Sequence, residues 1–334
     1  MMELIKALIS LTPVLVFLIA LIFLDSYKLV APRTVIITIL AGAVAAIVSA
    51  FGNYFLSSTV GWNPTSYSRY LAPLVEESAK AAFVVILFRL NRVGFMVDAA
   101  IYGFAIGAGF SLVENVFYLF RLDSVNVLVW IIRGFGTAAM HASVMAMMAV
   151  IAKNLADQQN SLRWWIFLPG LFLAIATHSL FNHFIFSPTM STVLLLVILP
   201  LLVVLVFQRS ERATQEWLGV GFDADQELIR QLSTGEFEET KIGHYLQMLR
   251  ERFPSAVVVD MFCLLRIHTE LALRAKGMLM LRQAGIEVTP DPEIEEQLAE
   301  LEFLEKSIGR TGKLAILPFI HTSSRDLWQL TTIK

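Results

Sequence analysis

The chain has a single cysteine, Cys263, in 334 residues. With no second thiol there can be no internal disulfide and no cysteine-rich metal site, so Cys263 reads as a buried structural thiol. An excess of charge of one sign is also missing. Lys and Arg total 26 against 28 Asp and Glu, a formal net charge of -2, and nothing in that balance favours nucleic acid or another polyanion as a partner. Repeats and low-complexity tracts are lacking too. Charged residues make up 16% of the chain and hydrophobic residues 56%, with a mean hydropathy of +0.66. That is too apolar for an ordinary soluble protein, and the expected solvent is a lipid bilayer.

Apolar runs long enough to cross a hydrocarbon core, about 20 helical residues each, fill the first two-thirds of the chain. About seven are expected, at residues 4–24, 34–56, 70–90, 95–120, 126–151, 164–186 and 190–208. They are too long for barrel strands, so the fold class is all-α, a polytopic transmembrane helix bundle. The first run is too long for a signal-peptide core and lacks a small-residue cleavage pattern, so it reads as a retained span. Lys28, Arg33, Arg89, Arg92, Lys153, Arg163, Arg209 and Arg212 fall on one side of a seven-span layout. The other side carries Lys6, Arg69, Arg121 and Arg133. The positive-inside rule then puts the C-terminus in the cytoplasm. Residues 1–209 are expected to form the membrane domain. Residues 210–334, with mixed charge and amphipathic periodicity, are expected to form a helical cytoplasmic domain that could regulate, dimerise or recruit a partner. Inside it TPDPE marks a break, with Thr289 or Asp291 as a cap for the next helix.

Ionisable groups within a span cost about 2.5 to 3.5 kcal/mol each on insertion scales, so each needs a reason. Here they are numerous: Glu76, Glu77 and Lys80 in the third span, Glu114 with Asn115 in the fourth, His141 in the fifth, and His178, Asn182 and His183 in the sixth. Counting inward from the external end of each antiparallel span, Glu76, Glu77, Glu114 and His178 lie about six to eight residues deep, roughly 10 Å below that surface at 1.5 Å per residue. His141 counts deeper unless its helix begins near Arg133 and Gly134. Spacings of three and four put Glu76, Glu77 and Lys80 in reach of one another, and Asn182 in reach of His178. His183 is displaced by about 140° from His178 and is expected to face elsewhere. Gly103 and Gly107 form a small-xxx-small pattern that lets a neighbouring helix approach closely.

Adjacent carboxylates in a low dielectric cannot both ionise cheaply, so Glu76 and Glu77 could share a proton and one of them activate water. Lys80 could neutralise the other. His141 and His178 with Glu114 could complete a three-ligand Zn2+ site with an open position. Alternatively no metal is needed, and the histidines with Asn182 stabilise an oxyanion while a glutamate acts as base. A buried Glu76–Lys80 ion pair or interhelical hydrogen bonds would be the purely structural account. It weakens when several spans put such groups in one layer, since a tether needs only two. A proton- or ion-coupled carrier would also use such groups, although no inverted repeat is visible. A non-catalytic scaffold anchoring the helical tail is the third account.

EESAK fits an EExxK motif, FSLVE fits FxxxE, and His141, His178 and HSLFN match histidine-bearing helices. In this order, over roughly residues 60 to 190, the chain resembles the PrsW family of intramembrane proteases, related to the CAAX-processing and bacteriocin-processing membrane proteases. The resemblance implies peptide-bond hydrolysis in the bacterial inner membrane. It implies a membrane-anchored protein substrate such as an anti-sigma factor, and a role in signalling. Glu76, Glu77, His141 and His178 would be the functional positions, with Glu114 and Asn182 supporting. Family relatives include both metal-dependent and glutamate-type enzymes, and the resemblance leaves that choice open.

Overall fold

In the computed structural model, residues 2–122, 126–159, 162–233, 237–286 and 292–319 are described. Every regular element among them is helical. Thr289 and Asp291, expected as helix caps, lie outside the described residues. Backbone contacts divide the chain into Met1–Glu211 and Arg212–Lys334.

In the first unit, α1 is Met2–Phe23, α2 Pro32–Val60 and α3 the short turn Pro64–Ser66. A single π-helical turn, Tyr67–Leu71, runs from α3 into α4, Ala72–Arg89. The next helix is α5, Met96–Arg121. After it, α6 (Val127–Ile131) enters a second π-turn, Ile132–Thr137, which leads into α7, Ala138–Gln159. α8 is Leu168–Asn182. α9, Pro188–Ser233, is a single helix of 46 residues. The residues dictate several of these boundaries. α2 has Pro32 in its first turn, where a missing N–H costs nothing, and ends on Gly61 at φ 67, a backbone that glycine adopts without strain. α5 starts where Asp98 Oδ2 accepts the N–H groups of Gly94 and Phe95 at 2.8 and 3.1 Å.

Six helical segments are long and apolar enough to cross a membrane: Met2–Phe23, Pro32–Val60, Met96–Arg121, Val127–Gln159, Trp164–Asn182 and Pro188–Ser233. This is a multi-pass integral membrane protein. α4, expected as the third span, carries Glu76, Glu77, Lys80 and Arg89 in 18 residues and is too charged to join them on composition. Helix α5 sits at the centre of the bundle, buried without a break from Val97 to Ser111. Glycines let its neighbours approach. A Cβ on Gly109 would overlap the Ile39 carbonyl of α2, and one on Gly107 would overlap the His141 carbonyl of α7. Gly103 meets α7 in the same way at Met145. The small-xxx-small pattern therefore clamps the helix that carries Glu114 to the helix that carries His141.

The second unit contains the end of α9 with α10 (Lys241–Leu249), α11 (Ser255–Gln283) and α12 (Pro292–Ile316). They pack around Met261, Leu265, Leu271, Leu301 and Ile308. Thr240 caps α10 by accepting the Gly243 N–H at 3.0 Å. Cys263 is partly buried in α11, where burial and the nearby Asp260 push its thiol pKa up; an unreactive, protonated thiol fits a structural residue. Lys276 and Asp225 form an ion pair of 2.5 Å at 2% and 5% side-chain exposure, with the ammonium beside Trp217. Removing one partner strands the other charge, so Asp225→Ala is expected to cost about 3 to 5 kcal/mol. The double change Asp225→Leu with Lys276→Met should restore most of it, read as the thermal unfolding midpoint of the full chain.

Candidate active site

Each π-turn lies just before a helix that bears site residues. A π-turn fits an extra residue into the helix and rotates everything after it. Glu76 and Glu77 follow Tyr67–Leu71 within two turns, and His141 follows Ile132–Thr137 within one. The first of these turns is tied on both sides. Tyr67 Oη donates to Asn53 Oδ1 of α2 at 3.0 Å. From α8, Ser179 Oγ donates to the Arg69 carbonyl at 2.6 Å and Asn182 Nδ2 to the Ser68 carbonyl at 2.9 Å.

The two glutamates, adjacent in sequence, are about 100° apart around the helix and meet different partners. Glu77 is fully buried. Its Oε1 accepts from Lys80 Nζ at 2.7 Å and from His178 Nδ1 at 2.6 Å, and lies 3.8 Å from His141 Nδ1. Its Oε2 is buried and has no hydrogen bond among the described residues. Glu76 keeps 17% side-chain exposure. Asn53 Nδ2 donates to its Oε1 at 3.1 Å, and its Oε2 stands 3.9 Å from His178 Nε2.

His141 is engaged at both ring nitrogens. Lys80 Nζ lies 2.9 Å from Nδ1, and Glu114 Oε2 lies 3.1 Å from Nε2. With Lys80 as donor, Nδ1 is the acceptor and the Nε2 proton faces Glu114. The rings of His141 and His178 meet edge to face, 4.7 Å between centroids, and Phe110 closes the far side of His141 at 4.9 Å. Four helices, α4, α5, α7 and α8, thus bring Glu76, Glu77, Lys80, Glu114, His141 and His178 into one cluster. His141 is level with the rest.

Glu76, His141 and His178 each offer a ligand atom, all within 4.8 Å of one another. Among the described residues this is the group suited to hold a metal ion. The carboxylate that joins the histidines there is Glu76, whereas Glu114 reaches His141 alone. The donor types fit zinc, and Glu77 on His178 Nδ1 leaves Nε2 for a ligand, the usual carboxylate–histidine support of a metal site.

The sequence pattern of the PrsW family intramembrane metalloproteases matches residues 31–207, a little over half of the chain. The chain belongs to this family. The PrsW-matched segment contains every residue of the cluster and stops short of the helices after α9. No curated protein and no solved structure matches the chain.

Asn182 makes its hydrogen bond with the π-turn backbone, and none joins it to His178. His183 turns to the Ser179 carbonyl and the face of Tyr70, outside the cluster. Asn53, Tyr67 and Arg133 are residues that sequence reasoning missed. Asn53 sits inside the second apolar run, where an amide is unusual enough to have been noticed. Arg133 entered the sequence reading only as a basic residue near a helix end.

Proposed function

We propose that the protein hydrolyses peptide bonds of membrane-anchored proteins in the bacterial inner membrane, with the cluster towards the outer face and the C-terminal unit in the cytoplasm. The observation that carries this is the convergence of Glu76, Glu77, His141 and His178 from α4, α7 and α8, with Glu76 alone of the four keeping appreciable exposure.

Glu76 is the base. Asn53 fixes one carboxylate oxygen, and the other faces His178 Nε2 across 3.9 Å, a separation that a bridging water spans. That water gives its proton to Glu76 and adds hydroxide to the scissile carbonyl carbon. Glu76 then passes its proton to the departing amine, while Glu114, which accepts the Nε2 proton of His141, keeps that ring edge to face against His178. Glu77 does not touch water in this scheme. It holds the Nδ1 proton of His178 and balances Lys80, which fixes the ring's orientation.

If zinc is bound, Glu76, His141 and His178 hold it, and it supplies a water acidic enough to ionise near neutral pH. The contact of Lys80 with His141 Nδ1 favours a second, metal-free reading, because it commits the Nε2 proton to Glu114. Metal analysis of the purified protein separates the two. The zinc reading expects about one ion per chain, lost in Glu76→Ala and His178→Ala; the glutamate reading expects cleavage to survive chelation with zinc absent.

The activity itself is tested by comparing cleaved membrane proteins in cells carrying the wild type or Glu77→Gln. Fragments present only with the wild type are expected. Identical proteomes would overturn the proposal.

A further inference from the structure

Glu114 is the carboxylate of the cluster that faces an arginine. Its Oε2 bonds His141 Nε2, and its Oε1 lies 3.4 Å from Arg133 Nη2. That guanidinium nitrogen is buried and makes no hydrogen bond among the described residues, so the ion pair with Glu114 is its close polar contact. The rest of the Arg133 head is fixed in two ways: its Cζ lies 3.7 Å from the centre of the Tyr118 ring, and Nε donates to Asn115 Oδ1 at 2.9 Å. Asn115 is fixed in turn, since its Nδ2 donates to the Ser10 carbonyl of α1 at 2.7 Å. Both Ser10 and Asn115 are buried.

A second contact reaches the same turn of α1. Pro13 lies inside the helix, and proline has no N–H, so the Ile9 carbonyl four residues before it loses its helical partner. The backbone of the second π-turn settles on this turn of α1: a Cβ on Gly134 would overlap the Ile9 carbonyl oxygen and come within 3.1 Å of the Ser10 Cα. One residue before this contact is Arg133, and one turn after it is Ala138, where α7 begins. α1 thus meets, at Ser10, the Asn115 side chain that accepts from Arg133 and, at Ile9, the turn that leads to His141. All of α1 precedes residue 31, where the family match starts.

We propose that Arg133 is a positioning residue that holds Glu114 against His141, and that α1 fixes Arg133 through the Ser10–Asn115 link. The inference rests on the peptidase reading. The chemistry that matters is orientation: Glu114 accepts the Nε2 proton of His141 only while Arg133 draws its other oxygen the opposite way. Arg133→Gln removes the charge and leaves Glu114, 24% of whose side chain is exposed, free to turn away from His141.

The test uses full-length protein in detergent and a quenched-fluorescent peptide spanning a cut site found in the proteomic comparison. Arg133→Gln is expected to lower kcat about 10- to 100-fold, the usual effect of removing an outer partner of a site residue, with KM changed by less than about twofold. Arg133→Lys keeps a cation beside Glu114 and should recover a substantial part of that loss. Asn115→Leu, which retains bulk but severs the link to Ser10, should reproduce the kcat loss. Thermal unfolding of each variant distinguishes misplacement from collapse. A full kcat in Arg133→Gln, or a loss in which Arg133→Lys is as poor as Arg133→Gln and both melt early, would overturn the assignment. If wild-type and Glu77→Gln cells yield the same proteome, the peptidase reading falls and this inference with it. If those proteomes differ while Arg133→Gln matches the wild type, this inference falls alone.

Discussion

Glu76→Gln is expected to lower the cleavage rate about 10²- to 10⁴-fold, the range for loss of a positioned general base, without preventing membrane insertion. Glutamine preserves the volume and can still meet the Asn53 amide, but it cannot take a proton from water. His178→Ala should be as severe, because the Nε2 that faces Glu76 is lost and Glu77 loses an N–H donor at 2.6 Å. Glu77 behaves differently. Glu77→Ala leaves Lys80, itself fully buried, without its carboxylate, and stranding a buried charge costs about 3 to 5 kcal/mol. It should therefore lose both activity and stability, whereas Glu76→Gln should lose activity alone. Cleavage rates paired with unfolding midpoints for the three variants check this ordering. Full activity in both Glu76→Gln and His178→Ala would remove the basis of the mechanism.

The second large effect is expected at a residue with no side chain. Gly107 lies on α5 where the backbone of α7 crosses it at His141 and Ala142. Even the methyl group of Gly107→Ala has no room beside the His141 carbonyl, and that atom is backbone, which cannot swing away as a side chain would. The helices must part at His141. Overpacking of this kind costs about 1 to 3 kcal/mol, and a displacement near 1 Å can cost about 100-fold in rate. Gly219, with open space around its Cβ position, is the control: Gly219→Ala should change neither rate nor unfolding midpoint. Equal behaviour of the two alanine variants would show that the α5–α7 crossing does not position His141.

Much of the architecture was legible because the bilayer imposes a length and a composition on each span. The apolar runs at 34–56 and 190–208 fall within α2 and α9, and those at 4–24 and 95–120 overrun α1 and α5 by one residue each. α4 was harder, since Glu76, Glu77, Lys80 and Arg89 dilute its hydropathy. The π-turns at Tyr67–Leu71 and Ile132–Thr137 were not legible at all, because an i to i+5 bond has no local sequence signature comparable to a proline or a glycine.

The sequence by itself determined the class of solvent, the helical architecture and the short list of side chains too costly to sit in a membrane without a use. Those follow from transfer energies, which depend on residue type alone. Pairing was decided by tertiary structure. Glu76 and Glu77 are indistinguishable as neighbours in a string, yet helical geometry turns one to Asn53 and leaves it partly exposed, and turns the other to Lys80 and His178. Helix packing likewise groups Glu76 with the two histidines, gives Glu114 to His141 and Arg133, and ties Asn182 to a backbone carbonyl. Such choices depend on where glycines let helices touch and on which carbonyls a proline or a π-turn sets free, and these are properties of contacts between spans.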